Sequence, residues 1–186
     1  MKRVFDLIFS VLLILPCLLI IILISPLNFL TSSGSVLYWS RRVGKDNKIY
    51  MMPKFRSMIE DTPLIETHLL ENPDSYFTPI GKFLRLTSLD ELPQIFSILK
   101  GDMSFVGPRP ALFKQKKLIT LRSKKGLDKL LPGITGWAQV NGRDELLINE
   151  KVEFDFEYLN RKSFWFDMKI IWMTILKVFN RENIRH

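Results

Sequence analysis

Two adjacent acids, Asp90 and Glu91, are the residues of this sequence best suited to chemistry, because they directly precede an apolar run with helical spacing. A carboxylate at the start of a helix stays ionised, lies beside backbone N–H groups that favour phosphate, and can bind Mg²⁺. The same fragment is also typical of helix capping: Ser88 and Glu91 match a capping box, and Asp90 is equally suited to be the N-cap. Capping and catalysis are compatible, so both interpretations stand at this point.

Several basic residues are candidates for binding the phosphate groups on which such acids would act. Arg109 lies between Pro108 and Pro110, whose rings fix the backbone on both sides. Its guanidinium therefore extends from a stiff turn and is suited to bidentate phosphate binding. An ordinary proline-rich turn with a solvated arginine is the alternative. Further positive charges are carried by Lys54, Arg56 and Arg85. Each of these residues, taken alone, also fits an ordinary surface position.

A glycine-punctuated segment, residues 132–143, is the third candidate for ligand binding. Its glycines would allow close approach of the backbone to a ligand, Gln139 and Asn141 carry both donors and acceptors, and Trp137 offers a stacking face. The segment fits neither the P-loop pattern nor the dinucleotide fingerprint, and Asn141-Gly142 would equally suit a hairpin turn.

The composition restricts the chemistry further. The chain has 186 residues, of which 47% are apolar, so it can bury a core and form one small domain. One cysteine excludes a disulfide framework or a cysteine zinc site within one chain, and two histidines nearly exclude histidine triads and the HExxH metalloprotease arrangement. Catalysis must therefore come from carboxylates and from lysine or arginine, with or without the help of a hard metal ion.

An uncharged N-terminal stretch, residues 7–40, predicts contact with a membrane. Its densest part, residues 7–24, would measure ~27 Å as a helix, close to the thickness of a bilayer core. A cleaved signal peptide is disfavoured, because such apolar regions usually run to about 15 residues at most and no clear cleavage site follows. A spanning helix and a re-entrant helix, which returns on the same face, remain as alternatives.

Two features favour the re-entrant form. Ser25-Pro26 ends the apolar stretch with a residue that lacks a backbone donor, and the serine hydroxyl can satisfy a carbonyl freed by the break. Basic residues flank the stretch on both sides, with Lys2 before it and Arg41 after it, and re-entry keeps both flanks in the cytoplasm. From the residues alone the two forms are evenly balanced, and Ser25 and Pro26 are the predicted break.

The rest of the chain predicts one small α/β or α+β unit. Residues 36–39 and 48–51 resemble short strands joined by a turn, and residues 80–86 and 92–99 have helical spacing. Apolar positions also recur at helical spacing in residues 163–179. This last segment predicts either a core helix or an amphipathic helix at the membrane interface, where tryptophan and lysine are favoured.

Taken together, these segments resemble the bacterial sugar transferases, and among them the small monotopic polyprenyl-phosphate phosphoglycosyl transferases. The resemblance covers nearly the whole chain. The matching segments are residues 2–6, 25–26, 54–58, 88–92, 100–110 and 132–143. It implies an α/β, mostly helical catalytic domain over residues 35–186, a re-entrant membrane helix over residues 1–34 that breaks at a Ser-Pro pair, and interfacial amphipathic helices.

The resemblance also implies a mechanism and roles for individual residues. The aspartate of an Asp-Glu pair, here Asp90, attacks the sugar-bearing phosphorus of a UDP-sugar and releases UMP. Polyprenyl phosphate, expected to be undecaprenyl phosphate, then attacks the aspartyl-phosphosugar. Mg²⁺ at Asp90 would screen the diphosphate, and Glu91 would assist by positioning or proton handling. The expected substrate-binding residues are Arg85, Arg109, Lys54, Arg56, Thr135, Gln139, Asn141 and Arg143.

The implied location is the cytoplasmic face of the bacterial inner membrane. The implied partners are the UDP-sugar, undecaprenyl phosphate and membrane lipid, and the product would enter polysaccharide or glycoconjugate assembly. The formal charge of +8, with seven basic residues in the segment 114–129, favours as an alternative a membrane-anchored scaffold or lipid-binding protein without turnover. Nucleic acid is not an expected partner, because no recognisable nucleic-acid-binding module accompanies the charge.

Overall fold

The structure is a computed structural model that describes residues 2–32, 34–63, 65, 70–142 and 145–180. It confirms the predicted mixed α/β fold in which helix predominates. The helices are α1 (Lys2–Thr31), α2 (Gly81–Leu86), α3 (Ile95–Lys100), α4 (Lys116–Lys124), α5 (Trp137–Val140), α6 (Ile148–Arg161) and α7 (Phe164–Asn180). The strands are β1 (Leu37–Val43), β2 (Ile49–Phe55), β3 (Ser104–Val106), β4 (Ala111–Leu112) and β5 (Gly133–Thr135). Short 3-10 turns lie at Lys45–Asn47, Pro73–Tyr76, Leu89–Gln94 and Leu127–Lys129.

The predicted hairpin is confirmed. Strands β1 and β2 pair antiparallel, from Leu37 opposite Phe55 to Val43 opposite Ile49, and β4 pairs with the other edge of β1. Asp46, in the connecting turn, has a φ of 54°, a left-handed conformation that short polar side chains tolerate better than others. The hairpin is longer than the two predicted segments, and β2 packs against the 3-10 turn that carries both acids.

The glycines of residues 100–110 and 132–143 bring these two segments into direct backbone contact. Strands β3 and β5 pair parallel, and a Cβ added to Gly133 would lie 2.1 Å from the backbone nitrogen of Gly107. A Cβ on Gly136 would lie 2.1 Å from the Gly107 carbonyl oxygen. These glycines therefore allow close approach of one chain segment to the other, and their approach to a ligand stays a prediction. Asn141-Gly142 follows α5 instead of forming a hairpin turn between strands.

Helix α7 confirms the predicted helix at residues 163–179 and has two different faces. Phe166 and Ile170 are buried in a core cluster with Val106 and Tyr158, so the core interpretation is correct for this face. The other face is apolar and exposed, and Trp165 at its start is 79% exposed. Placement of that face in a membrane interface stays a prediction.

Helix α1 contains both prolines of the apolar stretch and continues to Thr31, so the helix does not end at the predicted break. The Ser25 hydroxyl donates to the Ile21 carbonyl at 2.6 Å, one residue before the carbonyl that Pro26 leaves without a backbone donor. By length and composition α1 is the one helix of the described residues that is apolar enough to cross a membrane. Its central side chains are largely exposed.

Both ends of α1 pack against the rest of the protein. At the N-terminal end, Lys2 forms an ion pair of 2.5 Å with Asp167, and buried Asp6 accepts hydrogen bonds from the Ser104 hydroxyl and the Phe105 backbone. At the other end, the Asn28 amide donates to the Arg56 carbonyl at 2.9 Å. Apolar contacts of Ile24 with Phe55 and Leu84 complete this end. Both ends of this helix, which is long and apolar enough to cross a membrane, are therefore fixed to the same domain.

Candidate active site

A cavity of about 250 Å³ brings together both predicted acids and four of the predicted cations. It opens between the β1–β2 hairpin, the 3-10 turn at residues 89–94 and the loop before β4. The predicted residues that line it are Asp90, Glu91, Lys54, Arg56, Arg85, Arg109 and Gln139. Residues that are distant in the sequence thus meet at one site, which has more positive than negative side chains.

The two acids lie in a 3-10 turn, Leu89–Gln94, instead of the first turn of an α-helix. Ser88, at the start of the turn, has a φ of 56°, and its described side chain makes no capping hydrogen bond. The predicted capping box is therefore wrong, and so is the alternative of Asp90 as N-cap. The physical reason lies in Pro93, which lacks a backbone donor and disfavours α-helical geometry in the residue before it. The chain winds more tightly there, and Asp90 becomes buried.

Lys54 stands between the two carboxylates. Its Nζ lies 2.7 Å from Glu91 Oε1 and 3.9 Å from Asp90 Oδ2. Burial lowers the pKa of Lys54 below that of an exposed lysine, and the two acids oppose this shift. Burial likewise raises the pKa of Asp90 above that of an ordinary aspartate, while the nearby Lys54 ammonium opposes the change. Glu91 is thus the main ionic partner of Lys54, and Asp90 is the less neutralised carboxylate.

The loop that carries Arg109 is held by two other arginines. Arg122 donates to the Arg109 carbonyl at 2.8 Å and forms a 2.7 Å ion pair with buried Asp155. Arg42 donates to the Pro110 carbonyl at 3.0 Å. The Arg109 side chain reaches Glu91 Oε1, with its Nη2 at 3.4 Å. This arrangement supports the predicted stiff arginine, because its backbone is fixed and its guanidinium points at the acid pair.

Arg42 and Arg122 also line the cavity, and sequence reasoning missed both. Burial and the nearby Arg109 charge lower the pKa of Arg42 to about 10. Arg42 lies two residues after buried Ser40 in β1 and therefore on the same face of the strand, so strand periodicity was a signal that it faces inward. Arg122 is one of seven basic residues in the segment 114–129, and nothing in the sequence distinguishes it from the others.

Arg56, Arg85 and Gln139 also line the cavity, and each of them bonds to a neighbouring group of the protein. The Arg85 Nε donates to Ser57 at 3.1 Å, and Arg56 pairs with Glu60 at 3.2 Å, both beside the cavity. Gln139 donates to the Ile134 carbonyl at 2.7 Å.

Two further predicted substrate-binding residues, Thr135 and Asn141, do not line this cavity. The Thr135 hydroxyl pairs with that of Thr174 in α7 at 2.6 Å. The Asn141 amide donates to the Trp137 carbonyl at 2.7 Å. Arg143 lies outside the described residues.

The carboxylates present fit a Mg²⁺ ion only together with phosphate. Among the described residues no cluster of three or more His, Cys, Asp or Glu side chains is placed to hold a metal. Mg²⁺ is commonly bound by one or two carboxylates plus substrate phosphates and water. Asp90, which lines the cavity and is not the main partner of Lys54, is suited to that minimal role.

Comparison with known sequences decides the family. Residues 1–181 match the sequence model of the family described as bacterial sugar transferase. The chain belongs to the bacterial sugar transferase family. The family predicted from the sequence is thereby confirmed.

Three relatives illustrate the range of similarity. The chain is 41% identical to the UDP-glucose:undecaprenyl-phosphate glucose-1-phosphate transferase of Escherichia coli (strain K12), over 96% of this chain and 40% of that protein. It is 34% identical to the undecaprenyl-phosphate galactose phosphotransferase of Salmonella typhimurium, over 98% of this chain and 41% of that protein. It is 38% identical over its whole length to the uncharacterized sugar transferase EpsL of Bacillus subtilis, of which it covers 90%. The chain thus spans about two fifths of the first two relatives and nearly all of the third.

Proposed function

We propose that this protein is a phosphoglycosyl transferase that moves a sugar-1-phosphate from a UDP-sugar to undecaprenyl phosphate and releases UMP. The observation that carries the proposal is the buried Asp90 carboxylate in a cavity lined by lysine and arginine. Such a cavity suits a diphosphate, because charge-assisted bonds from guanidinium and ammonium groups are the strongest phosphate contacts. The names of the relatives in Escherichia coli and Salmonella typhimurium support the same reaction.

In the first step an oxygen of ionised Asp90 attacks the sugar-bearing phosphorus. A bond forms between this oxygen and the phosphorus, the bond from the phosphorus to the bridging oxygen breaks, and UMP leaves with that oxygen and its electron pair. Arg109 and Arg85, which line the cavity, would stabilise the negative charge on the phosphates as it moves to UMP.

In the second step a phosphate oxygen of undecaprenyl phosphate attacks the same phosphorus. The acyl phosphate bond breaks, Asp90 regains its carboxylate, and the product is undecaprenyl-diphospho-sugar. Mg²⁺, held by Asp90 and the substrate phosphates, would screen negative charge on the diphosphate when bound. The two half-reactions use one carboxylate in turn, so the acceptor is needed only after UMP has formed.

The proposal includes a monotopic position on the cytoplasmic face of the inner membrane. Helix α1 has 30 residues and an exposed apolar centre, and both of its ends contact the domain through Asp6 and Asn28. These contacts favour a helix that enters and leaves on one face, because a spanning helix would separate its two ends by the bilayer. The basic residues Lys2 and Arg41 near the ends favour the cytoplasmic side. The exposed face of α7, with Trp165, suits the same interface.

Release of UMP tests the proposal. Purified protein with Mg²⁺ and undecaprenyl phosphate is incubated with a panel that includes UDP-glucose, UDP-galactose and UDP-N-acetylglucosamine, each radiolabelled in the sugar. We expect UMP and labelled lipid from at least one donor, and neither product from the Asp90→Asn variant. Membrane association without turnover on any donor would instead support the scaffold alternative.

A further inference from the structure

We propose that Glu91 is a positioning residue whose carboxylate holds Lys54 and Arg109 in place. The inference rests on the proposed function and assigns separate tasks to the two adjacent acids. Asp90 forms the covalent bond, and Glu91 keeps the surrounding cations directed at the donor and away from the nucleophile.

The contacts of Lys54 are the first support. Its ammonium is buried, with a side chain only 11% exposed, so it requires an ionic partner. Glu91 Oε1 supplies that partner at 2.7 Å, whereas Asp90 Oδ2 lies at 3.9 Å. The strong charge-assisted bond therefore belongs to Glu91, and Asp90 keeps its oxygens available for attack.

The contact with Arg109 is the second support. The same Oε1 atom that binds Lys54 lies 3.4 Å from Arg109 Nη2. One oxygen thus joins β2, which carries Lys54, to the loop that carries Arg109. Arg122 and Arg42 bond to the backbone of this loop, whereas Glu91 contacts the guanidinium of Arg109 itself.

Loss of this carboxylate has a definite consequence. Lys54 would lose its closer ionic partner, and among the described residues the other carboxylate within 4 Å of its Nζ is that of Asp90. The ammonium would then pair with Asp90 and reduce the nucleophilicity of that carboxylate, while the Arg109 guanidinium would lose its contact with Glu91. Both effects act on the donor half-reaction, before any acceptor is bound. A residue that only deprotonates the lipid phosphate would act solely in the second half-reaction.

Exchange of labelled UMP into a UDP-sugar, without acceptor, measures the donor half-reaction alone. The donor is whichever member of the UDP-sugar panel the wild-type protein uses. We expect Glu91→Gln to slow this exchange by a factor on the order of 10², as for loss of a preorganised charge contact. The matched control is Glu153→Gln, which removes an exposed carboxylate paired with Lys125 and should exchange at the wild-type rate. Wild-type exchange by Glu91→Gln would overturn the inference.

A double variant separates positioning from a loss of fold. Combining Glu91→Gln with Lys54→Met removes both buried charges, so neither is left unpaired. If Glu91 acts largely through Lys54, the double variant should exchange within a few-fold of Lys54→Met alone, since coupled residues are not additive. If Glu91→Gln slowed the exchange by a further factor on the order of 10² when added to Lys54→Met, positioning through Lys54 would be contradicted. If the wild-type protein exchanged no donor while Asp90→Asn and Glu153→Gln behaved identically to it, the proposed function itself would fail.

Discussion

At the scale of single residues, adjacent carboxylates in this protein have different surroundings. Glu91 contacts both Lys54 and Arg109, whereas Asp90 is buried and its Oδ2 lies 3.9 Å from the Lys54 Nζ. Seven basic side chains line the cavity around them: Arg42, Lys54, Arg56, Arg85, Arg109, Arg122 and Lys151. In a partly desolvated site such charges interact more strongly with a diphosphate than they would in water. The local chemistry therefore favours an anionic donor and an anionic nucleophile held close together.

The Arg109→Lys variant tests whether the planar guanidinium group of Arg109 is required at this site. Lysine keeps the charge but loses bidentate geometry, so we expect kcat/KM for UMP release to fall by a factor on the order of 10². The matched control is Arg41→Lys. Arg41 is exposed, its Cζ lies 4.8 Å from the centre of the Phe113 ring, and it does not line the cavity that holds the acids. Equal losses in the two variants would contradict a specific role for Arg109.

The buried Asp90 carboxylate should reduce the stability of the folded protein, and the size of this effect should depend on pH. Because burial raises the pKa of Asp90 in the folded protein, ionisation of Asp90 opposes folding above that pKa. The penalty is absent below the unfolded pKa of an aspartate, near about 3.9. We therefore expect Asp90→Asn to melt at a higher temperature than wild type at pH 7 with a chelator present, and the difference to shrink toward pH 4. A lower melting temperature for the variant at pH 7 would contradict this.

At the scale of elements, sequence patterns predicted the helices and strands that depend on residues close together in the chain. The β1–β2 hairpin follows from two short apolar segments around a turn, and α7 follows from its helical spacing. The 3-10 turn at residues 89–94 was not predicted, because the capping signal of Ser88 and Glu91 matches that of an ordinary helix. The effect of a proline inside that turn outweighed the cap.

Contacts between distant segments set the limit of prediction for the site. Asp90, Glu91 and Arg109 were identified from their local context, and the structure places them together. Arg122 enters the site only because α4 packs where its guanidinium reaches the Arg109 carbonyl. Thr135, which was predicted to bind substrate, instead bonds to α7. Residue type alone does not distinguish these outcomes.

The contact between β3 and β5 allows a prediction at this scale. In Gly133→Ala the new Cβ would lie 2.1 Å from the Gly107 backbone nitrogen, and backbone cannot yield as a flexible side chain can. We expect a loss of unfolding free energy above ~3 kcal/mol, measured by denaturation in detergent. The control is Gly126→Ala, where no atom lies within 4 Å and only the positive φ is strained, which costs about 1 kcal/mol. Similar losses in both variants would argue against the close contact.

At the scale of the whole molecule, the long apolar helix and the cavity of the candidate active site belong to one connected structure. The N-terminal turn of α1 contacts β3 through Asp6, and β3 leads directly into the Arg109 loop. The C-terminal turn of α1 contacts the end of β2 near Lys54 and Arg56. The proposed membrane attachment and the cavity are therefore linked through one set of packed elements, which suits the proposed transfer from a soluble to a lipid substrate.

Labelling of introduced cysteines tests the topology that follows from this connection. With Cys17 replaced by alanine, one cysteine is added before Lys2 and, in a separate protein, Lys45→Cys is made in the exposed hairpin turn. Both should react with a membrane-impermeant maleimide in inverted vesicles and stay unreacted in intact spheroplasts, because both ends of α1 are fixed to one domain. Reaction from opposite sides would mean that α1 spans the bilayer.

The most direct measurement is the intact mass of protein quenched in acid after exposure to its UDP-sugar without undecaprenyl phosphate. We expect an added mass equal to one sugar phosphate, which peptide mapping assigns to Asp90 and which disappears when the lipid acceptor is supplied. Repeated absence of this adduct from protein that turns over the same donor, or its assignment to another residue, would contradict the account.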